Sequence, residues 1–385
     1  MSIIPYNKQH IDNKDKSLVL KALDAEKITT GRFCDEFEKK IRIYLESKFV
    51  LCVNSGTSGL YLAIKSLKLK KNGIVIMPAI NFIASYNSVI ANGLRIFLAD
   101  VDPFTGQIRA EDIINVIKKY KLKKVDLVIN MYLGGQACNV EKIYKLKKKY
   151  NFYLIEDACH ALGAHYKFKK KKYKVGSCKH SDISVFSLHP VKTITSGEGG
   201  IISTNNYKFY NNILLNRSHG IKRNPNNHWD YDVRENGHNF RISDIASALG
   251  LSQLKKINLF VMNRRKLVND YFKKIKNLNN YCQIVNQDKI NLGAWHLLLL
   301  KFNFNSIKKK NKIIQFFFKN KIFLQTHYIP IYKFSIFKKN SKIKKNYNFP
   351  GSEKYFKNTI SFPLYYKMNK TDLNYVVQTL EKFLK

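Results

Sequence analysis

From residue 34 to about 255, short apolar runs bounded by turn formers alternate with longer stretches whose apolar positions recur every three or four residues. The short runs have the length and the Val/Ile/Leu content of strands buried on both faces; the longer ones have the period of helices packed along one side. Their alternation predicts a parallel sheet with helices on its faces. "KFVLCVNSG" (48–56) reads as a strand entering a glycine turn, and "TSGLYLAIKSL" as the helix that follows. "GIVIMP", "LRIFLAD", "VDLVIN" and "FYLIED" continue the series. Ligands of such sheets gather at the carboxyl ends of the strands, which directs attention to Asn54, Asp100, Asn130 and Asp157.

After about 255 the pattern changes to a long amphipathic stretch, "INLFVMNRRKLVNDYFKKIKNL", then "AWHLLLLKF", "IFLQTHYIP" and a last helical segment from 370. The reading is two domains, 1–255 with an N-terminal arm and 256–385 as a smaller α+β unit. "SIKKKNKII" and "KKNSKIKKN" are low-complexity patches expected on exposed loops or helix faces.

Composition alters this picture in one respect. The chain of 385 residues is 45% hydrophobic, as ordinary globular proteins are, but 68 Lys+Arg against 27 Asp+Glu leave a formal charge of +41. An excess of that size opens the alternative of a nucleic-acid-binding protein. The basic residues are mostly Lys in scattered clusters, "KLKLKK", "KKYKLKK" and "KFKKKKYK", without interleaved stacking aromatics or zinc-finger spacing. They read as solvated surface, so neither nucleic acid nor membrane is expected as a partner, although anionic substrates would be attracted. Cysteines at 34, 52, 138, 159, 178 and 282 form no C-x-x-C pair, and no metal site is expected. "MSIIPYNKQHIDNKDKS" has no apolar signal core and no apolar run approaches about 20 residues, so a soluble cytoplasmic protein is expected.

The chemistry concentrates in "FSLHPVKTITSGEGG" (186–200), which places Lys192 between a strand end and a glycine run. "LIEDACHALGAHY" (154–166) brings Asp157 to the same edge, and "NSGTSGL" (54–60) offers a glycine turn with Thr57 and Ser58 at a helix start. Backbone N–H groups at a helix start suit a phosphate, with the Ser187 hydroxyl as a further donor. An amine that forms a Schiff base, a carboxylate that keeps a pyridine nitrogen protonated and a phosphate cradle are the parts a pyridoxal 5′-phosphate site needs.

These motifs resemble the DegT/StrS-type nucleotide-sugar aminotransferases, and the resemblance runs from "IPYNKQHI" near the amino terminus to "ISFPLYYKMNKTDLNYVV" near the end. "FSLHPVKTITSGEGG" and "GHNFRISDIASALGLSQLKK" (237–256) are its most specific parts. The resemblance implies a fold type I aminotransferase: a large, mostly parallel mixed sheet with helices on both faces, plus a small α+β domain. It implies Lys192 as the lysine that binds the cofactor aldehyde, Asp157 as partner of the pyridine nitrogen, and Thr57, Ser58 and Ser187 as phosphate contacts. It likewise implies Phe82 stacked on the ring, His160 at the phenolic oxygen, and Asn239 reaching the phosphate across a homodimer interface with shared active sites. A structural role stays open for His160 and Asn239. His219, Arg241 and His327 are candidate substrate contacts, with Arg217 and Arg241 the candidates for an anion.

Within the family, "SLHPVK", "RSHGI" and "THYIPIY" look most like the members that aminate C4 of UDP-2-acetamido-2,6-dideoxy-β-L-arabino-hexos-4-ulose, with L-glutamate as donor, on the way to pseudaminic acid. Amination of a D-configured 4-keto sugar is the alternative. Departures from the family pattern are Gly59 in place of Ala, expected to loosen a helix start, and Asn81 and Tyr132 in place of Thr and His, expected to alter the pocket lining.

Overall fold

The computed structural model describes residues 3–227, 229–285, 292–340 and 348–384. The last part of "KKNSKIKKN" lies outside them. Two helices, α1 (Asn13–Leu23) and α2 (Arg32–Leu45), precede the sheet. Each has its start fixed from elsewhere in the chain. Asp12 and Asp15 form a reciprocal cap at the start of α1, and Lys256 Nζ bonds Asp12 Oδ2 at 2.8 Å and Asp15 Oδ2 at 2.7 Å. The α2 start has no side-chain cap of its own; Asp244 accepts from Gly31 N at 2.6 Å and Cys34 N at 2.7 Å.

The central sheet is built from β1 (Phe49–Val53), β2 (Ile74–Pro78), β3 (Arg95–Ala99), β4 (Leu127–Met131) and β5 (Tyr153–Asp157). After a surface hairpin of β6 (His165–Phe168) and β7 (Lys171–Lys174), β8 (Ile183–Ser187) and β9 (Gly200–Thr204) complete it. Its seven strands run in the order β1-β9-β8-β5-β4-β2-β3. Only β9 is antiparallel to its neighbours, pairing Val53 with Gly200 and Ser187 with Gly200 at the same level. The sheet is therefore mostly parallel, as the apolar pattern predicts. Crossovers are made by α3 (Gly56–Ser66), α4 (Ile83–Ala91), α5 (Ala110–Lys119) and α6 (Val140–Tyr150). One core lies beneath α3 and α4, with Val53, Met77, Ile129, Ile155 and Val185. Another lies beneath α5 and α6, with Ile76, Val128 and Leu154.

The chain continues through α7 (Tyr207–Arg217), an exposed hairpin of β10 (Ile221–Arg223) and β11 (Tyr231–Val233), α8 (Asp244–Leu254) and α9 (Ile257–Lys274). A three-stranded antiparallel sheet then forms from β12 (Cys282–Ile284), β13 (Leu298–Phe302) and β14 (Thr359–Phe362). Helices α10 (Ile307–Lys319), α11 (Ser335–Asn340), α12 (Pro350–Asn358) and α13 (Lys370–Leu384) accompany it. The sequence divides the chain at 255, whereas the cores divide inside α9. Phe260 and Val261 pack with the large domain, while Leu267, Val268 and Tyr271 pack with the small one. Ile4 of the amino-terminal arm belongs to the small-domain core and pairs with Ile322.

Two of the four strand-end polar residues serve the fold, and a third faces away from the ligand side. Asp100 caps α12, accepting from Gly351 N at 2.8 Å and Ser352 N at 2.7 Å. Asn54 accepts the Ser58 hydroxyl at 2.6 Å. Asn130 pairs in register with Glu156, one position from the Met131 and Asp157 pair, and so faces the opposite side of the sheet. Only Asp157 lies where ligand chemistry is expected.

Candidate active site

A cavity of about 520 Å³ opens at the carboxyl ends of β5 and β8 and is closed from the far side by the small domain. Of the residues singled out in the sequence, Thr57, Phe82, Asp157, His160, Ser187, Lys192 and His327 line it. They arrive on five pieces of chain, Asp157 with His160 and Ser187 with Lys192 sharing one each, and the sheet order explains why they meet: β5 and β8 are neighbours, and β9 lies beside β8 and starts next to the turn before α3.

That turn is built for close approach. Ser55 caps α3, its hydroxyl accepting from Ser58 N at 3.1 Å, and this leaves the earlier N–H groups of Gly56 and Thr57 without an intrahelical acceptor. Gly56 keeps the approach close: a Cβ there would stand 3.0 Å from Ser187 Cβ and 3.3 Å from Cys159 Sγ, so those side chains would have to shift. Gly200, the last glycine of "TSGEGG", passes beneath the turn so closely that a Cβ would collide with the Ser55 carbonyl. The Ser58 hydroxyl is spent inside the cap, donating to Asn54 Oδ1 at 2.6 Å. The expected phosphate contact at Ser58 is therefore occupied within the turn, while Thr57 faces the cavity.

Lys192 is half-buried at the cavity wall. Burial lowers its pKa from the ordinary lysine value, opposed by the proximity of Cys159 and Asp157. Asp157, the last residue of β5, is 2% exposed and accepts from the Ser85 hydroxyl at 2.6 Å. Phe82 is 51% exposed, with its ring open to the cavity.

Three histidines line the small-domain side. His160 and His296 have ring centroids 4.3 Å apart, and His327 lies 6.2 Å from His160. Burial, reinforced by the Lys192 charge, lowers all three: His160 and His296 well below the usual imidazole value, His327 to about 3. Gly134 N donates to His160 Nδ1 at 3.3 Å, so the neutral ring carries its proton on Nε2, 3.0 Å from the Tyr328 hydroxyl. His160 thus presents a fixed hydrogen-bond donor. His327 is held by Ser361 Oγ at 2.7 Å.

The remaining expectations fall outside the cavity. Arg217 is paired with Glu38 at 2.5 Å and with the Cys52 carbonyl at 2.8 Å, so it is a structural cation and not an anion contact. His219, with φ 62°, sits in a turn closed by its N–H to the His238 carbonyl, and Arg241 bridges Val53; neither lines the cavity. Asn239 is exposed, and its carbonyl accepts from Asn54 at 3.4 Å. Tyr132 does not alter the lining, because its hydroxyl turns away to Glu156 at 2.7 Å. Gly59 is a close-packing residue: a Cβ would stand 2.8 Å from Val185 Cγ1. Tyr6, His189, Glu198, His296, Gln325 and Tyr328 line the cavity without having been singled out.

The donor set fits pyridoxal phosphate: an amine, a buried carboxylate, an exposed ring face and a glycine cradle at a helix start lie around one cavity. Comparisons with known proteins agree. The model of the DegT/DnrJ/EryC1/StrS aminotransferase family matches residues 9–381. A UDP-4-amino-4,6-dideoxy-N-acetyl-beta-L-altrosamine transaminase of Campylobacter jejuni is 33% identical over 382 residues, 99% of this chain and 98% of that one. Helicobacter pylori PseC, an aminotransferase of pseudaminic acid biosynthesis, superposes with a TM-score of 0.90 at 27% identity, covering 99% of both chains. Spr1654 from Streptococcus pneumoniae, solved in a PLP-form, shares the fold with a TM-score of 0.88 at 24% identity, each chain covered completely.

Proposed function

Since the chain belongs to the DegT/DnrJ/EryC1/StrS aminotransferase family and is a PLP-dependent nucleotide-sugar aminotransferase, we propose that it transfers the amino group of L-glutamate to C4 of UDP-2-acetamido-2,6-dideoxy-β-L-arabino-hexos-4-ulose. The observation that carries the reading is the convergence of Lys192, Asp157 and the Gly56 turn on one cavity, within a chain similar along its whole length to transaminases of that product.

Bound pyridoxal phosphate supplies an electron sink for charge developing at the donor's α-carbon. Thr57 and Ser187, with the N–H groups of Gly56 and Thr57, hold its phosphate; Phe82 covers the ring, and His160 stands at the phenolic oxygen, where its Nε2 proton would have to leave the Tyr328 hydroxyl to donate. Asp157 holds the pyridine nitrogen. Lys192 takes the proton from the donor's α-carbon and returns one at C4 of the sugar. Its lowered pKa suits that role, because an amine must be neutral to act as base. His327, beside the half-buried Tyr328, is the candidate contact for the sugar.

The protein acts as a cytoplasmic homodimer in this reading. Asn239 stands exposed near the Asn54 turn and outside its own cavity, as a residue offered to a second copy does. The exposed Tyr231 and Val233 of the β10–β11 hairpin supply apolar surface for the same contact. No helix among the described residues is long and apolar enough to cross a membrane.

Incubation with glutamate and either the L-arabino or the D-xylo 4-keto UDP-sugar, with products identified by NMR, tests the proposal. Amination of the L-arabino sugar with formation of 2-oxoglutarate is expected. Preference for the D-xylo sugar would transfer the assignment to the other branch, and amination of neither would refute it.

A further inference from the structure

The Asp157 carboxylate is surrounded unevenly. Ser85 Oγ donates to Oδ2 at 2.6 Å, while Oδ1 has the backbone N–H of Cys159 at 3.4 Å, too long for a strong hydrogen bond. Ser85 is wholly buried, so its hydroxyl has no access to bulk water. It is the third residue of α4, and its N–H bonds back to the Phe82 carbonyl at 3.3 Å. A single helical turn therefore supplies the ring at the cavity mouth and the hydroxyl behind the carboxylate.

We infer that Ser85 is a positioning residue: by engaging Oδ2 it fixes the Asp157 carboxylate so that Oδ1 is presented to the pyridine nitrogen of the cofactor. The inference rests on the reading of the cavity as a pyridoxal phosphate site. A carboxylate with two equivalent oxygens can rotate about its terminal bond; one short hydrogen bond from a fixed helix removes that freedom. The hydroxyl has a single proton to give, and it is committed to Asp157. Without it, a buried carboxylate loses its strongest donor and turns toward the next available one. Three other groups couple electrostatically to Asp157: Lys192, the Cys159 thiol and the Tyr328 hydroxyl. Burial raises the pKa of the thiol and of the hydroxyl well above their ordinary values, so both are neutral and only the Lys192 amine can carry a charge; the thiol also hydrogen-bonds Asp157, as a weaker donor than a hydroxyl. Orientation thus falls chiefly to Ser85, the short-range donor.

The test uses full-length protein loaded with pyridoxal phosphate carrying ¹⁵N in the pyridine ring. The ¹⁵N chemical shift reports directly whether that nitrogen is protonated, and titration gives the pH range over which it remains so. Wild type is expected to lose the proton only at alkaline pH, with a midpoint inside the titrated range. Ser85→Ala is expected to lose it at a pH lower by about one unit and to bind the cofactor about tenfold more weakly. Ser85→Thr, which keeps the hydroxyl, restores both. Ser85→Cys, close in size with a weaker donor, falls between and serves where the Ala protein does not fold. A folded Ala or Cys variant with the wild-type ¹⁵N titration and wild-type affinity overturns the inference while leaving the cofactor assignment standing. A wild-type protein that takes up no pyridoxal phosphate overturns the assignment itself, and the inference with it.

Discussion

Around Lys192, three imidazoles are kept neutral by the same burial that lowers the amine. This has a consequence for acid stability. In the unfolded chain a histidine takes up a proton near pH 6.5, whereas in the fold His327 does so at about 3. The contribution is therefore intact above about pH 6.5 and lost as the pH falls, because the unfolded chain gains protons that the folded one refuses. At about pH 5 His327 alone accounts for about 2 kcal/mol. The urea midpoint is expected to fall between pH 7 and 5, and to fall less in a His327→Gln protein. An unchanged midpoint would contradict the neutral assignment. Lys192 and Asp157 were legible in the sequence because a chemical role restricts the residue type and strand ends restrict the place. Arg217 was misread because its partner Glu38 lies far away in the chain, and no local pattern records that pairing. His296 and Tyr328 were passed over for a related reason: the docking of the small domain, not a strand end, brings them to the cavity.

At the scale of elements, strands and crossover helices were readable because continuous apolar runs and helical periods differ in length. What the pattern hid was how helix ends are held. Asp244 reads as an ordinary first-turn acid of α8, yet its carboxylate caps the start of α2 through two N–H groups. Its replacement by Ala is expected to lower stability by about 2 kcal/mol, whereas Asn, which retains one acceptor, should cost less. Equilibrium urea unfolding of both variants checks this; equal stability of Ala and wild-type proteins would show the caps to be unimportant. Gly59 makes the same point in reverse: propensity alone reads it as a weak helix start, but Val185 of the strand beneath requires its bare backbone.

Over the whole molecule, two cores meet along α9, and the cavity lies where the small domain closes on the carboxyl edge of the large sheet. The two clusters part inside α9, between Val261 and Leu267, where the helix carries no turn residue or change of composition that a sequence pattern could record. The charge of +41 is distributed over many surface clusters, and some lysines are paired, Lys145 with Glu141 within one helix and Lys147 with Asp182 across the fold. That excess also provides the most direct test of the central claim, that one half-buried amine is chemically distinct from all the others. The protein is incubated with pyridoxal phosphate, reduced with borohydride, digested and mapped by mass spectrometry. The account predicts stoichiometric labelling of Lys192 in the peptide spanning "FSLHPVKTITSGEGG", with the surface lysines essentially unmodified. Labelling spread over exposed lysines, with Lys192 unmodified, would contradict it.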